Sequence, residues 1–291
     1  MFNNILLEED KRVSWAYFLH DNPLHLGLIF ATIRIGFPLL TYLFLYTDWH
    51  RRGNNRLGIH PLQGIAQNRG RKIVAPIEKV VIVLSGGADS STLAYWAKSK
   101  GYEIYPISFN YGQIASKETK NAKVIAGKLG VKIKVINVSS LKQIFKGSTV
   151  LVDRSMIMPA QFESKVIVPF RNAIFLSIAV AYAISIGSIK LMYGAHKSDE
   201  PFYPDCRKEF VDAFQNVAKI GTAIDMTIEN PFYKFSKAEI IRIGTTLRVP
   251  YKLTWSCYLD GEYHCGDCES CVNRKNAFKE ARISDPTRYE S

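Results

Sequence analysis

The sequence predicts an α/β protein built on a parallel sheet with helices on both faces, followed by a small cysteine-rich helical module. Three observations lead there. From Lys79 onward, short apolar or β-branched runs alternate with longer stretches of helical periodicity. The runs are apolar almost throughout rather than at every second position, the pattern of strands covered on both faces. Four of the five cysteines fall between Cys257 and Cys271, whereas Cys206 stands apart.

The first 78 residues read differently from the rest. Leu26 to Thr47 is 22 residues long with Arg34 as its single charge, about the length of a bilayer span, although Pro38 and Arg34 weigh against insertion. No small-residue cleavage site comes after it, so it is not a secretory signal. The basic flank from Trp49 to Ile77 would keep the rest of the chain in the cytoplasm. The segment reads as a membrane or surface anchor, as a buried helix pair, or as sequence upstream of the true start. Beyond it, Lys79 to Leu84, Glu103 to Phe109, Lys132 to Val138 and Lys190 to Tyr193 read as strands. Ser91 to Lys100, Ser116 to Leu129, Asn172 to Ile186 and Arg207 to Lys219 read as helices. Ser236 and Glu239 form a capping-box pattern that opens a helix over Lys237 to Leu247. Lys146 to Lys165 is the least periodic stretch and reads as a long loop.

Composition narrows the class. A chain of 291 residues with 47% apolar and 22% charged residues buries a sizeable core and is not broadly disordered. Its net charge of +12 suits polyanions, whether nucleotides, RNA or an anionic membrane face, without choosing among them. The crowded cysteines suit one metal ion better than disulfides, and so argue for a reducing compartment.

The first core strand ends in Ser85-Gly86-Gly87-Ala88-Asp89-Ser90-Ser91-Thr92, which opens the next helix. Two glycines let the backbone approach a ligand and aim successive N–H groups at it, and the helix N-terminus adds partial positive charge. The expected ligand is a phosphate or pyrophosphate. No Gly-x-x-x-x-Gly-Lys-Ser/Thr or Gly-x-Gly-x-x-Gly pattern occurs, which removes the P-loop NTPases and weakens dinucleotide binding. The second constellation is Cys257, Cys265, Cys268 and Cys271, spaced C-x7-C-x2-C-x2-C. Four thiolates suit a closed tetrahedral Zn²⁺ site, which leaves no position for a catalytic water and is therefore structural. An iron–sulfur run is the alternative, but no Cys-Pro is present after it. His264 reads as a neighbour of the ion rather than a ligand.

SGGADS is similar to the SGGxDS signature of the PP-loop ATP pyrophosphatases, which have an adenine nucleotide alpha hydrolase-like fold and cleave ATP between its α and β phosphates to form adenylates. Taken with Thr254-Trp255-Ser256-Cys257 and His264-Cys265-Gly266-Asp267-Cys268-Glu269-Ser270-Cys271, it resembles the 7-cyano-7-deazaguanine synthase (QueC) family. Further matches are Phe109 to Gln113, Pro169 to Asn172 and Tyr203 to Arg207, and the resemblance runs from Lys79 to Ala281. It divides the chain into an extension over 1–78, a nucleotide-binding α/β domain over 79–250 and a four-cysteine zinc module with tail over 251–291.

The resemblance implies ATP-dependent conversion of 7-carboxy-7-deazaguanine and ammonia to the nitrile, with AMP and diphosphate released, in queuosine or archaeosine precursor synthesis. ATP would lie along Leu84, Ser85, Gly86, Gly87, Ala88, Asp89, Ser90, Ser91, Thr92, Leu93 and Ala94. Asp89 would help hold Mg²⁺, Ser85 would bind the leaving pyrophosphate, and Arg171 would clamp a phosphate or carboxylate. Asp205 and Arg207 are the candidates for the deazaguanine, although Asp205 equally reads as a helix cap. The partners implied are small molecules, with no nucleic acid required, in the cytoplasm; a homodimer is admitted. The alternatives are a PP-loop enzyme that thiolates or amidates tRNA, for which only Cys206 is spare, and a non-enzymatic RNA-binding protein.

Overall fold

A computed structural model describes residues 13–18, 26–33, 40–47, 77–159 and 161–290. The chain divides into two compact units, Met1–Arg71 and Lys72–Ser291. In the first, β1 (Val13–Phe18), β2 (Leu26–Ile33) and β3 (Leu40–Thr47) form an antiparallel sheet in the order β1-β2-β3. The apolar stretch from Leu26 is therefore neither a single spanning helix nor a helix pair. Its two eight-residue strands are rich in β-branched and aromatic residues, and Gly36 and Pro38 stand between them, where an uninterrupted helix would be penalised.

The second unit holds a five-stranded sheet in the order β6-β5-β4-β7-β8, parallel throughout. Its elements run β4 (Lys79–Val83), α1 (Ala88–Ser99), β5 (Glu103–Asn110), α2 (Lys117–Lys128), β6 (Lys134–Asn137), the single-turn α3 (Lys142–Phe145), α4 (Arg171–Ser185), β7 (Lys190–Met192), α5 (Lys208–Thr222), β8 (Thr227–Glu229), α6 (Lys237–Thr246) and α7 (Glu269–Ala281). The chain builds outward from β4 to β6, then returns to lay β7 on the other side of β4. Ligands of such sheets bind beyond the carboxyl ends of the strands at that reversal.

Alternation along β4 sorts the core into two layers. Val80 and Ile82 face Leu93, Ala94, Ala97 and Ile125 of α1 and α2, while Val81 faces Leu176, Val180 and Met226 on the α4 and α5 side. Each fully buried Val or Ile contributes roughly 1.5–3 kcal/mol from burial. α1 begins three residues earlier than its periodicity suggests because Gly87 serves as its N-cap and Asp89 occupies its first turn. β8 escapes the sequence reading because Thr227-Ile228-Glu229 sets one apolar residue between two polar ones, whereas the equally short β7 carries the apolar pair Leu191 and Met192. The aperiodic stretch over 146–165 is packed rather than loose: Val150, Leu151 and Val152 are buried with Phe145, Val166 and Val168.

Candidate functional site

The end of β4 makes the site's floor. Leu84 N–H donates to the Ile107 carbonyl at 2.8 Å, the last ladder bond before the chain turns. Ser90 Oγ then ties the turn together, accepting from Ser85 N–H at 3.2 Å and lying 2.9 Å from Ser85 Oγ. Gly86 has φ 94°, and a β-carbon there would collide with α2, whose Ala122 nitrogen would lie 2.7 Å away. Its carbonyl accepts from Trp255 N–H at 2.9 Å. At Gly87 a β-carbon would meet nothing nearer than Ser85 Oγ at 3.6 Å, so packing within the protein does not require glycine there. Gly87 lines the cavity, and the bare backbone leaves room for a ligand. On the far side of the reversal, a β-carbon on Gly194 would lie 3.4 Å from the Ser90 backbone, which lets the strand end after β7 close against this turn.

The cavity above has a volume of about 280 Å³, and its walls come from well-separated stretches of the chain, among them 83–90, 108–118, 166–175, 193–206 and 255–258. Asp89 forms an ion pair with Lys237 Nζ at 3.2 Å, and His196 Nε2 lies 3.8 Å from the same oxygen. Burial opposes the charge on Asp89, but Lys237 and His196 hold its carboxyl below the usual range. Its other oxygen, Oδ1, is buried without a hydrogen-bond partner. Lys237, at the first turn of α6, is likewise held protonated against burial by Asp89 and Asp199. His196 also faces Asp199 at 3.4 Å.

Across the cavity, Arg171 opens α4 and donates to the Tyr111 hydroxyl at 3.3 Å. Burial disfavours the guanidinium, yet Tyr111, Glu118 and Asp205 keep it charged. Asp205 accepts from Asn172 N–H at 3.2 Å and so caps α4, not the helix that comes after it in sequence. Glu118, in the first turn of α2, has its carboxyl pushed up to about 7 by burial, against the opposing pull of Arg171 and Gln113. Cys206 is buried beside Asp205, and burial first, then Asp199 and Asp205, push its thiol up, the opposite of an activated nucleophile.

Trp255, Ser256, Tyr258 and Ser270, which flank the cysteine cluster, form the roof. The sulfurs of Cys257, Cys265, Cys268 and Cys271 lie within 4.8 Å of one another. The closest separations are 3.5 Å for Cys257 to Cys265, 3.9 Å for Cys265 to Cys271 and 4.0 Å for Cys268 to Cys257. A tetrahedron of metal–sulfur bonds near 2.3 Å has edges of about 3.8 Å, so the cluster fits one metal ion. His264 is not a ligand: its Nε2 accepts from Ser256 N–H at 3.0 Å, and its ring packs on Trp255. The fully buried Arg274 of α7 donates to Thr254 Oγ1 (2.8 Å), Ser256 Oγ (3.0 Å) and the Tyr251 carbonyl (3.1 Å). Together with the Trp255 to Gly86 bond, these contacts carry the metal module's position to the phosphate turn. Asp260, in the same cysteine loop, accepts from Ser116 Oγ and Lys117 N–H at the start of α2.

Of the residues singled out in sequence, Leu84, Ser85, Gly87, Ala88, Asp89, Ser90, Arg171 and Asp205 line the one cavity. Gly86 and Ser91 to Ala94 do not. Thr92 Oγ1 is bound to the Ala88 carbonyl and the Tyr251 hydroxyl, each at 2.9 Å, and Leu93 and Ala94 are core. Arg207 is exposed and donates through Nε to the Glu200 carbonyl at 2.9 Å, so the structure does not bring it to the cavity. The cavity adds Glu118, Asp199 and Lys237, with His196 behind them. His196 shares the YGAH stretch after β7, the position where a strand-end rule alone points to a site.

The family model described as queuosine biosynthesis protein QueC matches residues 79–282. The chain is 43% identical over 215 residues to the 7-cyano-7-deazaguanine synthase of Caldicellulosiruptor bescii, covering 73% of this chain and 97% of that one. It is 44% identical over 223 residues to the protein of that name from Thermoplasma acidophilum, covering 73% and 92%. Among solved structures, the NH3-dependent NAD synthetase from Campylobacter jejuni aligns with a TM-score of 0.42 at 18% identity, over 62% of this chain and 68% of that one.

Proposed function

The chain belongs to the QueC family, and on that premise we propose that it is a 7-cyano-7-deazaguanine synthase, converting 7-carboxy-7-deazaguanine, ammonia and ATP to the nitrile. The observation that carries this reading is the convergence on one 280 Å³ cavity of a glycine-rich turn, a half-buried Arg171 and the acidic groups facing them. The turn's free N–H groups and the Ser85 hydroxyl bind the pyrophosphate that leaves ATP, where negative charge accumulates as the bond breaks. Lys237 supplies a fixed positive charge beside it. Arg171 offers a planar fork to a carboxylate or phosphate.

Two activations are needed, because neither a carboxylate nor an amide expels oxygen unaided. The substrate carboxylate attacks the α-phosphate and diphosphate leaves. Ammonia displaces AMP from the acyl carbon to give the amide. The amide oxygen then attacks the α-phosphate of a second ATP, expelling a second diphosphate, and departure of AMP with that oxygen and of two protons from nitrogen leaves the nitrile. The walls formed by Leu151, Val166 and Tyr258 keep bulk water from competing with ammonia.

Asp89 fits Mg²⁺, since its buried Oδ1 lacks a partner and lies at the phosphate turn. Bound there, Mg²⁺ shares the charge of the phosphate oxygens. The four cysteines fit Zn²⁺ in a structural role. The substrates are small molecules and no nucleic acid is needed; free ammonium is the nitrogen source, and unbridged cysteines suit the cytoplasm. Asp205 is the acidic group nearest in role to a guanine-like N–H edge. The exposed apolar residues Phe170, Val217 and Ile220, with Phe210 and Phe214 on the same α5 side, support a homodimer. V217E with I220E should shift the light-scattering mass from dimer to monomer, and an unchanged mass speaks against this face.

The test of the reaction is direct. Protein incubated with ATP, Mg²⁺, ammonium and 7-carboxy-7-deazaguanine should yield the nitrile and AMP by mass spectrometry. Folded protein that forms neither refutes the assignment. Asp89→Ala should lower turnover at least about 100-fold without changing the circular dichroism spectrum.

A further inference from the structure

The cavity presents four carboxylates, and three of them are committed. Asp89 is paired with Lys237 at 3.2 Å, Asp199 faces His196 at 3.4 Å, and Asp205 caps α4 through Asn172 N–H at 3.2 Å. The fourth, Glu118, forms no ion pair within 4 Å among the described residues, and the nearby neutral Gln113 amide, whose Nε2 donates to the Phe109 carbonyl at 3.2 Å, favours its charged form. Its backbone abuts the phosphate turn, because it is the Glu118 carbonyl that a β-carbon on Gly86 would strike. Glu118 lines the cavity that Arg171 also lines. A general base for chemistry at the acyl carbon belongs in that position, beside the phosphates and beside the group that holds the carboxylate being activated.

The chemistry calls for such a base. When ammonia forms the C–N bond and AMP leaves with the C–O electron pair, the new ammonium-like nitrogen must lose a proton. When the adenylated amide becomes the nitrile, two more N–H protons must leave as the C≡N bond completes and AMP departs. We propose that Glu118 is the catalytic base that accepts these protons one at a time from the substrate nitrogen and passes each to solvent. This deepens the synthase reading and rests on it.

The surroundings suit the task. Burial raises the Glu118 carboxyl from its ordinary value to about 7, and Asp260 of the cysteine loop acts in the same direction, while Arg171 of α4 and Gln113 oppose the rise. Tyr111, which accepts from Arg171, and Asp205, which acts on the same guanidinium, also face this wall. A base works while it is unprotonated, so turnover with ammonia should rise with pH through about 7 and level above it.

The test uses the full chain, with initial rates of nitrile formation measured against ammonium at saturating ATP and carboxylate, on both sides of neutral pH. In the unaltered enzyme, kcat/KM calculated on free ammonia should show the rise through about 7. Glu118→Gln should lower that parameter at least about 100-fold and abolish the rise, and Glu118→Asp should recover part of the rate with the rise displaced. Were Glu118 only a counter-ion for Arg171, Glu118→Gln would raise the KM for the carboxylate and leave the rise in place, and that result overturns the proposal. So does a rate within threefold of the unaltered enzyme. If Glu118→Gln lacks a cooperative thermal transition, Glu118→Asp decides alone, and an undisplaced rise is then the refuting result. Absence of nitrile from the unaltered enzyme would instead remove the synthase reading.

Discussion

Gly86 and Gly87 are neighbours of identical composition held for different reasons. Gly86 has φ 94°, which an L-residue adopts at a cost of roughly 1–2 kcal/mol. Its missing β-carbon also makes room for the backbone of α2. Gly87 has an ordinary φ of −75°, and a β-carbon there would make only ordinary contacts, the nearest at 3.6 Å. Gly86→Ala should therefore lower unfolding stability by more than about 2 kcal/mol in urea. Gly87→Ala should change stability by less than about 1 kcal/mol and instead raise the KM for ATP. The opposite pattern would mean that Gly86 is the residue the nucleotide approaches. The sequence displays both glycines equally, and only their surroundings separate them. The same holds for Asp205 and Arg207: they stand two positions apart, yet one caps α4 at the cavity wall and the other turns its guanidinium to the Glu200 carbonyl.

At the scale of elements, the phosphate turn and the cysteine cluster are each contiguous in sequence, which is why both are legible there. Lys237 and Glu118 are not, since each is an ordinary charged residue in the first turn of a helix and gains meaning only when α6 and α2 meet the end of β4. The coupling between the two legible motifs is also a matter of packing. Trp255 reaches Gly86 from within two residues of Cys257, and Arg274 fixes the intervening chain from α7. A metal that holds the cysteines together thus holds the roof of the cavity. Removing it with a chelator should lower the thermal midpoint and weaken ATP binding together, and restoring Zn²⁺ should recover both. Arg274→Met should reproduce the effect with metal still bound, at a cost of about 3 kcal/mol, because it leaves Asp285 and the Tyr251 carbonyl without their buried partner. Chelation that leaves ATP affinity unchanged would separate the module from the site.

For the whole molecule, the α/β class comes from the length and apolarity of the strands after Lys79, and a parallel sheet with helices on both faces is what the strands form. The stretch from Leu26 shows where such reasoning fails: 22 residues with a single charge satisfy the length rule for a span, but the rule does not see that Gly36 and Pro38 divide them into two strand-length runs. The family match begins at Lys79, and the described residues that line the cavity run from Val83 onward, within the unit Lys72–Ser291. That unit contains both core layers of the five-stranded sheet and the complete cysteine cluster. Expressed as residues 72–291, it should fold cooperatively and form the nitrile with kcat/KM for each substrate within about twofold of the full chain, since the deletion leaves every described residue that lines the cavity in place. A fragment that folds and binds ATP but has lost turnover would assign a catalytic part to the β1-β2-β3 unit, because folding and nucleotide binding would already have accounted for everything the larger unit supplies.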